Sequence, residues 1–145
     1  MRLVIQRVSR AAVRVTGRSL AEIGPGLVVL VGVSKNEADG EAAWLAGKVV
    51  NLRIFEDTHG KMNRSLLDMG AEVLVVPQFT LYSDARRGRR PSWAKAAPPE
   101  EAKERVEELC SALEAAGARV QRGSFQEHME VELVNDGPVT IILDG

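Results

Sequence analysis

The chain has 145 residues, 45% of them hydrophobic and 27% charged, with a net charge of −1; this fits one domain, residues 1–145, and gives no overall attraction to nucleic acid or to a membrane. No apolar run is long enough to span a bilayer, the opening Met1–Arg7 lacks the apolar stretch and cleavage site of a secretory leader, and Cys110 is the only cysteine. A lone cysteine excludes an internal disulfide framework and fits a reducing cytoplasm, the expected location.

Residues 2–8 alternate as a strand, with Leu3, Ile5 and Arg7 on one side. Residues 11–16 alternate again, and Gly17-Arg18 turns the chain into residues 19–23, so the start reads as antiparallel strands. After the turn signal Gly24-Pro25-Gly26, residues 27–33 form a continuous apolar run, expected of a strand covered on both faces. The period then changes: Ala42, Leu45, Ala46 and Val49 mark a helix over 39–51. A short strand at 52–55, a polar loop and a helical turn within 63–69 follow. Residues 71–76 are another apolar strand. Pro98-Pro99 opens a helix whose buried stripe is Ala102, Val106, Leu109, Cys110 and Leu113, and Gly117 stops it. Strands are predicted at 119–125, at 129–135 with Met129, Val131 and Leu133 inward, and at 139–143, the last two separated where Asp136-Gly137-Pro138 breaks the ladder. Residues 139–143 are too apolar to fray in water and are expected against the protomer or a partner. The order predicts an α/β fold: mixed sheet layers with barrel-like strands and two main helices packed on one face.

Charge is unevenly spread. Residues 84–95 hold Arg86, Arg87, Arg89, Arg90 and Lys95 against Asp84, followed by a Glu-rich helix. A basic loop of this kind can steer a phosphate chain, and it can equally be solvated surface.

Conventional catalytic groups are scarce. His59 lies in a polar turn and His128 beside Glu127, neither at metal-ligand spacing to another His or Cys, so no metal and no cofactor is expected. No nucleophile-elbow pattern supports a Ser-His-Asp triad. Cys110 sits on a helix's apolar stripe as a core residue. Two segments remain, Pro77–Tyr82 and Asn135–Thr140, each where a strand meets a loop. Thr80 ends an apolar strand, a common place for active-site groups; it has no neighbouring base in sequence, and its roles are positioning, oxyanion donation, attack, or simply satisfying the loop backbone. Proline lacks an amide hydrogen, so Gly137-Pro138 cannot complete a ladder; it reads either as an ordinary trans turn or as a pair whose carbonyls face a ligand.

These residues resemble a known family. Gln78-Phe79-Thr80-Leu81-Tyr82, Arg86-Arg87-Gly88-Arg89-Arg90-Pro91-Ser92 and Asn135-Asp136-Gly137-Pro138-Val139-Thr140 are similar to the signature segments of D-aminoacyl-tRNA deacylases. The opening Met1–Val8, Asn51–Asp57, Gly60–Asn63 and Ala97-Pro98-Pro99 match too, so the similarity runs end to end. The resemblance implies a cytoplasmic homodimer that hydrolyses the ester between a D-amino acid, or glycine, and the terminal adenosine of tRNA. It implies a cis Gly137-Pro138 bond reaching into the partner's site, where its carbonyls leave no room for an L side chain. It implies that Gln78, Phe79 and Thr80 line the catalytic pocket, with the Phe79 amide as an oxyanion donor and the ribose 2′-hydroxyl assisting. Phe125 and Met129 fall at the adenine pocket, and Arg86, Arg87, Arg89 and Arg90 at the tRNA backbone. Aminoacyl-tRNA is the implied partner; neither DNA nor a membrane is expected.

One position departs from the pattern. The family usually has Ser before the Gln, and here it is Pro77. A sister group that removes L-alanine from threonine tRNA can carry Pro there, but it has Ala where this chain has Phe79. Two other readings stand beside the deacylase: a non-catalytic tRNA- or nucleic-acid-binding protein using the arginine loop, and a small-molecule hydrolase using Thr80.

Overall fold

The computed structural model describes residues 1–86 and 88–145. Its framework is a mixed sheet in which β1 (Arg2–Val15) runs through the middle. β1 turns through Thr16-Gly17 into β2 (Arg18–Ile23), pairing Val15 with Arg18. β3 (Gly26–Gly32) pairs antiparallel with Arg2–Val8 of β1 and parallel with β6 (Glu72–Pro77). β6 pairs parallel with β7 (Arg119–Arg122). β8 (Met129–Asp144) lies antiparallel along nearly the whole of β1. β2 packs back towards β6 and β7, which curls the sheet into a nearly closed barrel. α1 (Glu41–Asn51) and α3 (Pro99–Ala115) pack against each other on one face, while β4 (Phe55–Glu56), β5 (Met62–Arg64) and the short α2 (Leu66–Met69) form a side excursion.

The period-2 rule decides where the core lies. Leu27, Val29 and Val31 of β3 and Val73 and Val75 of β6 face Leu45 and Val49 of α1 and Leu109 and Leu113 of α3. Their strand neighbours Val28, Leu74 and Val76 face the other way, into the barrel with Val8, Val13 and Ile23. The unbroken apolar run of β3 thus reflects burial on both faces, as its sequence predicts. The expected fold class is the observed one.

Several boundaries differ from the sequence reading: the short strand expected at 52–55 lies at Phe55–Glu56, and the strand expected at 119–125 ends at Arg122. Residues 2–8 and 11–16 are one strand, β1, with irregular register opposite Val8 and Arg10. The separate strands expected at 129–135 and 139–143 are likewise one element, β8. Asp136-Gly137-Pro138 interrupts the ladder without turning the chain: Asn135 pairs with Val8 and Thr140 with Gln6, so residues 136–139 bulge opposite Arg7. On the far side of that bulge Val139, Ile141 and Leu143 pack on the core, while Thr140 and Ile142 stay exposed.

Cys110 is buried, and desolvation pushes its thiol up to about 11 from an ordinary value of 9.0. The fold therefore favours the neutral thiol, and its stabilising contribution falls as pH rises from about 9 to about 11. Iodoacetamide at pH 8 is expected to leave the native protein unlabelled and to label it in denaturant; rapid native labelling would contradict this burial.

Candidate active site

β6 ends at Pro77, and the chain tightens at once into a 3-10 turn, Phe79–Tyr82. The Gln78 amide donates to Val31 O at 2.7 Å, which ties the start of this turn to β3. Gly32 lets the turn approach: a Cβ there would lie 3.0 Å from Leu81 Cβ and 3.2 Å from Gln78 O. The departure at Pro77 fits the ladder. Strand residues alternate sides, so an amide at 77 would point to the β7 side. There the pairing has already ended, with Gly123 donating to Val75 O at 2.8 Å. A proline costs no sheet hydrogen bond at this place.

A cavity of about 610 Å³ opens beside the turn. Gln78, Phe79, Phe125 and Met129, four of the residues singled out from the sequence, line it together with Pro77. Met129 Sδ accepts from the Ser124 amide at 3.2 Å, which fixes the thioether against the wall. Gln78 Nε2 donates to the Thr80 hydroxyl oxygen. Among the described residues no carboxylate or imidazole is hydrogen-bonded to Thr80, so nothing there activates it for attack. The leading amides of a short helix lack intrahelical acceptors, and those of Phe79 and Thr80 have no other backbone acceptor among the described residues. Of the two, Phe79 lines the cavity and Thr80 does not, so the Phe79 amide is the donor placed at its wall.

Several residues at the site escaped the sequence reading. Trp93 packs edge-on against Phe79, with ring centroids 5.4 Å apart and planes at 75°, and lines the same cavity. His128 and Glu127, left without a role above, also line it. The clearest omission is Arg7, only 4% exposed. Its guanidinium donates to Ile54 O at 2.5 Å and to Asp136 O at 3.0 Å, with the Asp136 carboxylate 3.5 Å away. A signal existed: Arg7 falls in phase with Leu3 and Ile5, which are fully buried.

Gly137 and Pro138 are exposed and do not line this protomer's cavity. Their peptide bond is cis, and Gly137 has φ +126°. A Cβ at 137 would lie 2.9 Å from Val139 Cγ2 and 3.1 Å from Val139 N. Arg86 is held by Asp84, at 2.9 Å from Nε and 2.5 Å from Nη2, which keeps the Asp84 carboxyl far below the usual carboxylate range. Arg89 and Arg90 are exposed; Arg87 lies outside the described residues. Among the described residues, no group of three or more His, Cys, Asp or Glu side chains converges, and no helix is long and apolar enough to cross a membrane.

The family model described as D-Tyr-tRNA(Tyr) deacylase matches residues 4–144. The chain belongs to that family. It is accordingly a hydrolase of the D-aminoacyl-tRNA deacylase class. Curated relatives named D-aminoacyl-tRNA deacylase include one from Heliobacterium modesticaldum, 54% identical over 100% of this chain and 97% of its own length. Another, from Symbiobacterium thermophilum, is 56% identical over 100% of this chain and 96% of its own. A solved structure named c-Myc DNA Unwinding Element Binding Protein superposes with a TM-score of 0.93 at 38% identity, covering 100% of this chain and 99% of that one. A second, titled as a probable eukaryotic D-amino acid tRNA deacylase, superposes at 0.83 with 16% identity, covering 98% and 97%; it speaks for the deacylase fold alone.

Proposed function

We propose that this chain, acting as one deacylase domain, removes D-amino acids and glycine from tRNA in the cytoplasm, checking handedness with the main chain. The observation that carries this reading is the convergence of the Gln78–Phe79 turn with Phe125 and Met129 on one cavity, in a chain matched by the family model from residue 4 to residue 144.

The terminal adenine lies against Phe125 and Met129, held by stacking and apolar contact. The ester carbonyl lies at the turn, where the Phe79 amide donates to the oxygen that becomes negative as water adds. The ester breaks at the ribose 3′-oxygen, which leaves as the hydroxyl of tRNA. The ribose 2′-hydroxyl assists proton movement at that oxygen, and Thr80, held by Gln78, positions the substrate. The chain supplies shape and backbone donors; the substrate supplies a reactive hydroxyl.

Gly137 and Pro138 come from a second copy of the chain. Their carbonyl oxygens face the α-carbon and amino group and occupy the space an L side chain needs. The uncovered flank of β8, where Val134 and Ile142 are 40% and 63% exposed, is the surface this homodimer covers. Arg86, Arg87, Arg89 and Arg90 bind the tRNA backbone, so the rate on tRNA falls with added salt.

D-tyrosyl-tRNA and L-tyrosyl-tRNA, each incubated with the enzyme, separate the readings. Fast loss of the D ester alone is expected. Equal, slow decay of both contradicts a deacylase, and salt-sensitive binding without ester loss supports the non-catalytic reading.

Thr80→Ala tests the hydroxyl's role. The expected loss in kcat is within about tenfold, whereas removing an attacking nucleophile costs several orders of magnitude. A tRNA ending in 2′-deoxyadenosine is expected to lose far more than Thr80→Ala does; the opposite order would return Thr80 to the centre of the chemistry.

A further inference from the structure

A second, smaller cavity of about 240 Å³ has Arg2, Tyr82, Asp84, Arg86 and Lys95 on its walls. The same two chain segments build both cavities. The 3-10 turn gives Phe79 to the first and Leu81 and Tyr82 to the second. The loop that follows the arginines gives Trp93 and Ala96 to the first and Lys95 to the second. From Phe79 to Tyr82 is one turn of 3-10 helix, ~6 Å along its axis, of the order of one step along an RNA strand.

The charges of the second cavity are mostly spent internally. Arg2 Nε is 2.6 Å from Asp144, and Arg2 also lies over the Tyr82 ring. Arg86 is paired with Asp84. Lys95 has no carboxylate within ion-pair distance among the described residues, so the wall keeps one uncompensated positive charge. Trp93, on the wall of the first cavity and two residues before Lys95, is braced edge-on by Phe79 and still 43% exposed. A braced, half-exposed indole and an ammonium without an ion-pair partner, two residues apart on one loop, offer what single-stranded nucleic acid requires: a ring for a base and a cation for the backbone.

We infer that the second cavity is a subsite for the penultimate nucleotide of the tRNA end, with its base stacked on Trp93 and its phosphate at Lys95. The inference rests on the deacylase reading and adds to it an anchor that draws the strand past Tyr82 and holds the terminal adenosine in the larger cavity. Stacking on a ring tolerates any base, so the subsite recognises the strand rather than its sequence.

Three esters of D-tyrosine test it: with adenosine, with the dinucleotide cytidylyl-adenosine, and with intact tRNA. The wild-type enzyme is expected to prefer the dinucleotide ester to the adenosine ester by about tenfold or more in kcat/KM, through KM. Lys95→Ala is expected to remove most of that gain, leave the adenosine ester's kcat/KM unchanged, and lower the salt slope on tRNA by about 0.7. Lys95→Arg is expected to restore the gain. Trp93→Ala is expected to lose it, and Trp93→Phe to keep it. Equal rates on the adenosine and dinucleotide esters, or an equal loss on all three esters in Lys95→Ala, would overturn the subsite alone. A wild-type enzyme that cleaves none of the three would overturn the deacylase reading and the subsite together.

Discussion

Gly137→Ala is expected to fold and yet to lose at least about a hundredfold in single-turnover deacylation of D-tyrosyl-tRNA, the scale of a misplaced reacting group. The cause is local. At φ +126° an L side chain is strained by ~1–3 kcal/mol, and its Cβ would press on Val139 Cγ2 at 2.9 Å and Val139 N at 3.1 Å. Val139 is anchored against the core, so the bulge must move instead. A shifted bulge no longer presents the same carbonyls to the substrate. Because the bulge is exposed, most of the damage falls on function rather than on folding. A variant with an unchanged rate and unchanged preference for the D ester would show that this bulge does not meet the substrate.

Arg7→Ala is expected to cost both stability and activity. Arg7 is the charged donor for two backbone carbonyls from distant parts of the chain, Ile54 O and Asp136 O. Hydrogen bonds from a charged donor are worth ~1.5–3 kcal/mol each, and truncation leaves the buried Ile54 carbonyl without a partner, while that of Asp136 is part-buried. Urea denaturation should report a loss of about 3 kcal/mol or more. The nearby carboxylates of Asp136 and Glu56 are well exposed and add little. Arg7→Lys should recover only part of the loss, because an ammonium lacks the fork that spans two acceptors. The bulge and Arg7 act as one unit, so Arg7→Ala combined with Gly137→Ala should reduce the rate by much less than the product of the single effects. Full multiplicativity, with a stable Arg7→Ala, would separate Arg7 from the function of the bulge.

What could be read from the sequence follows from the range of the interactions. β3 and β6 were legible because burial on both faces writes a continuous apolar run. α1 and α3 were legible because their stripes repeat at helical spacing and Pro99 opens the second. β1 and β8 each read as two strands, because Ser9-Arg10 and Asp136-Gly137-Pro138 interrupt the alternation where the ladder shifts register instead of ending. Which strands pair is not written locally: β8 meets β1 from the opposite end of the chain. The same holds at the site. Gln78–Thr80 and Asn135–Thr140 stood out as polar segments at strand ends. Arg7 showed only that a charged residue shares the phase of the buried Leu3 and Ile5, and its acceptors Ile54 and Asp136 lie 47 and 129 residues away. Trp93 and His128 carry no pattern that places them beside Phe79 and Met129, and only the fold does so.

Subunit mixing tests most directly whether the cavity of one copy is completed by the bulge of the other. One variant, Met129→Trp, fills its own cavity and keeps an intact bulge; the other, Gly137→Ala, keeps its cavity and spoils the bulge. Each is expected to be inactive as a homodimer. Unfolded and refolded together, they should form mixed dimers with one intact composite site, recovering about a quarter of the wild-type rate on D-tyrosyl-tRNA. No recovery, with mixed dimers confirmed by mass, would mean that each copy checks handedness alone and would contradict the account.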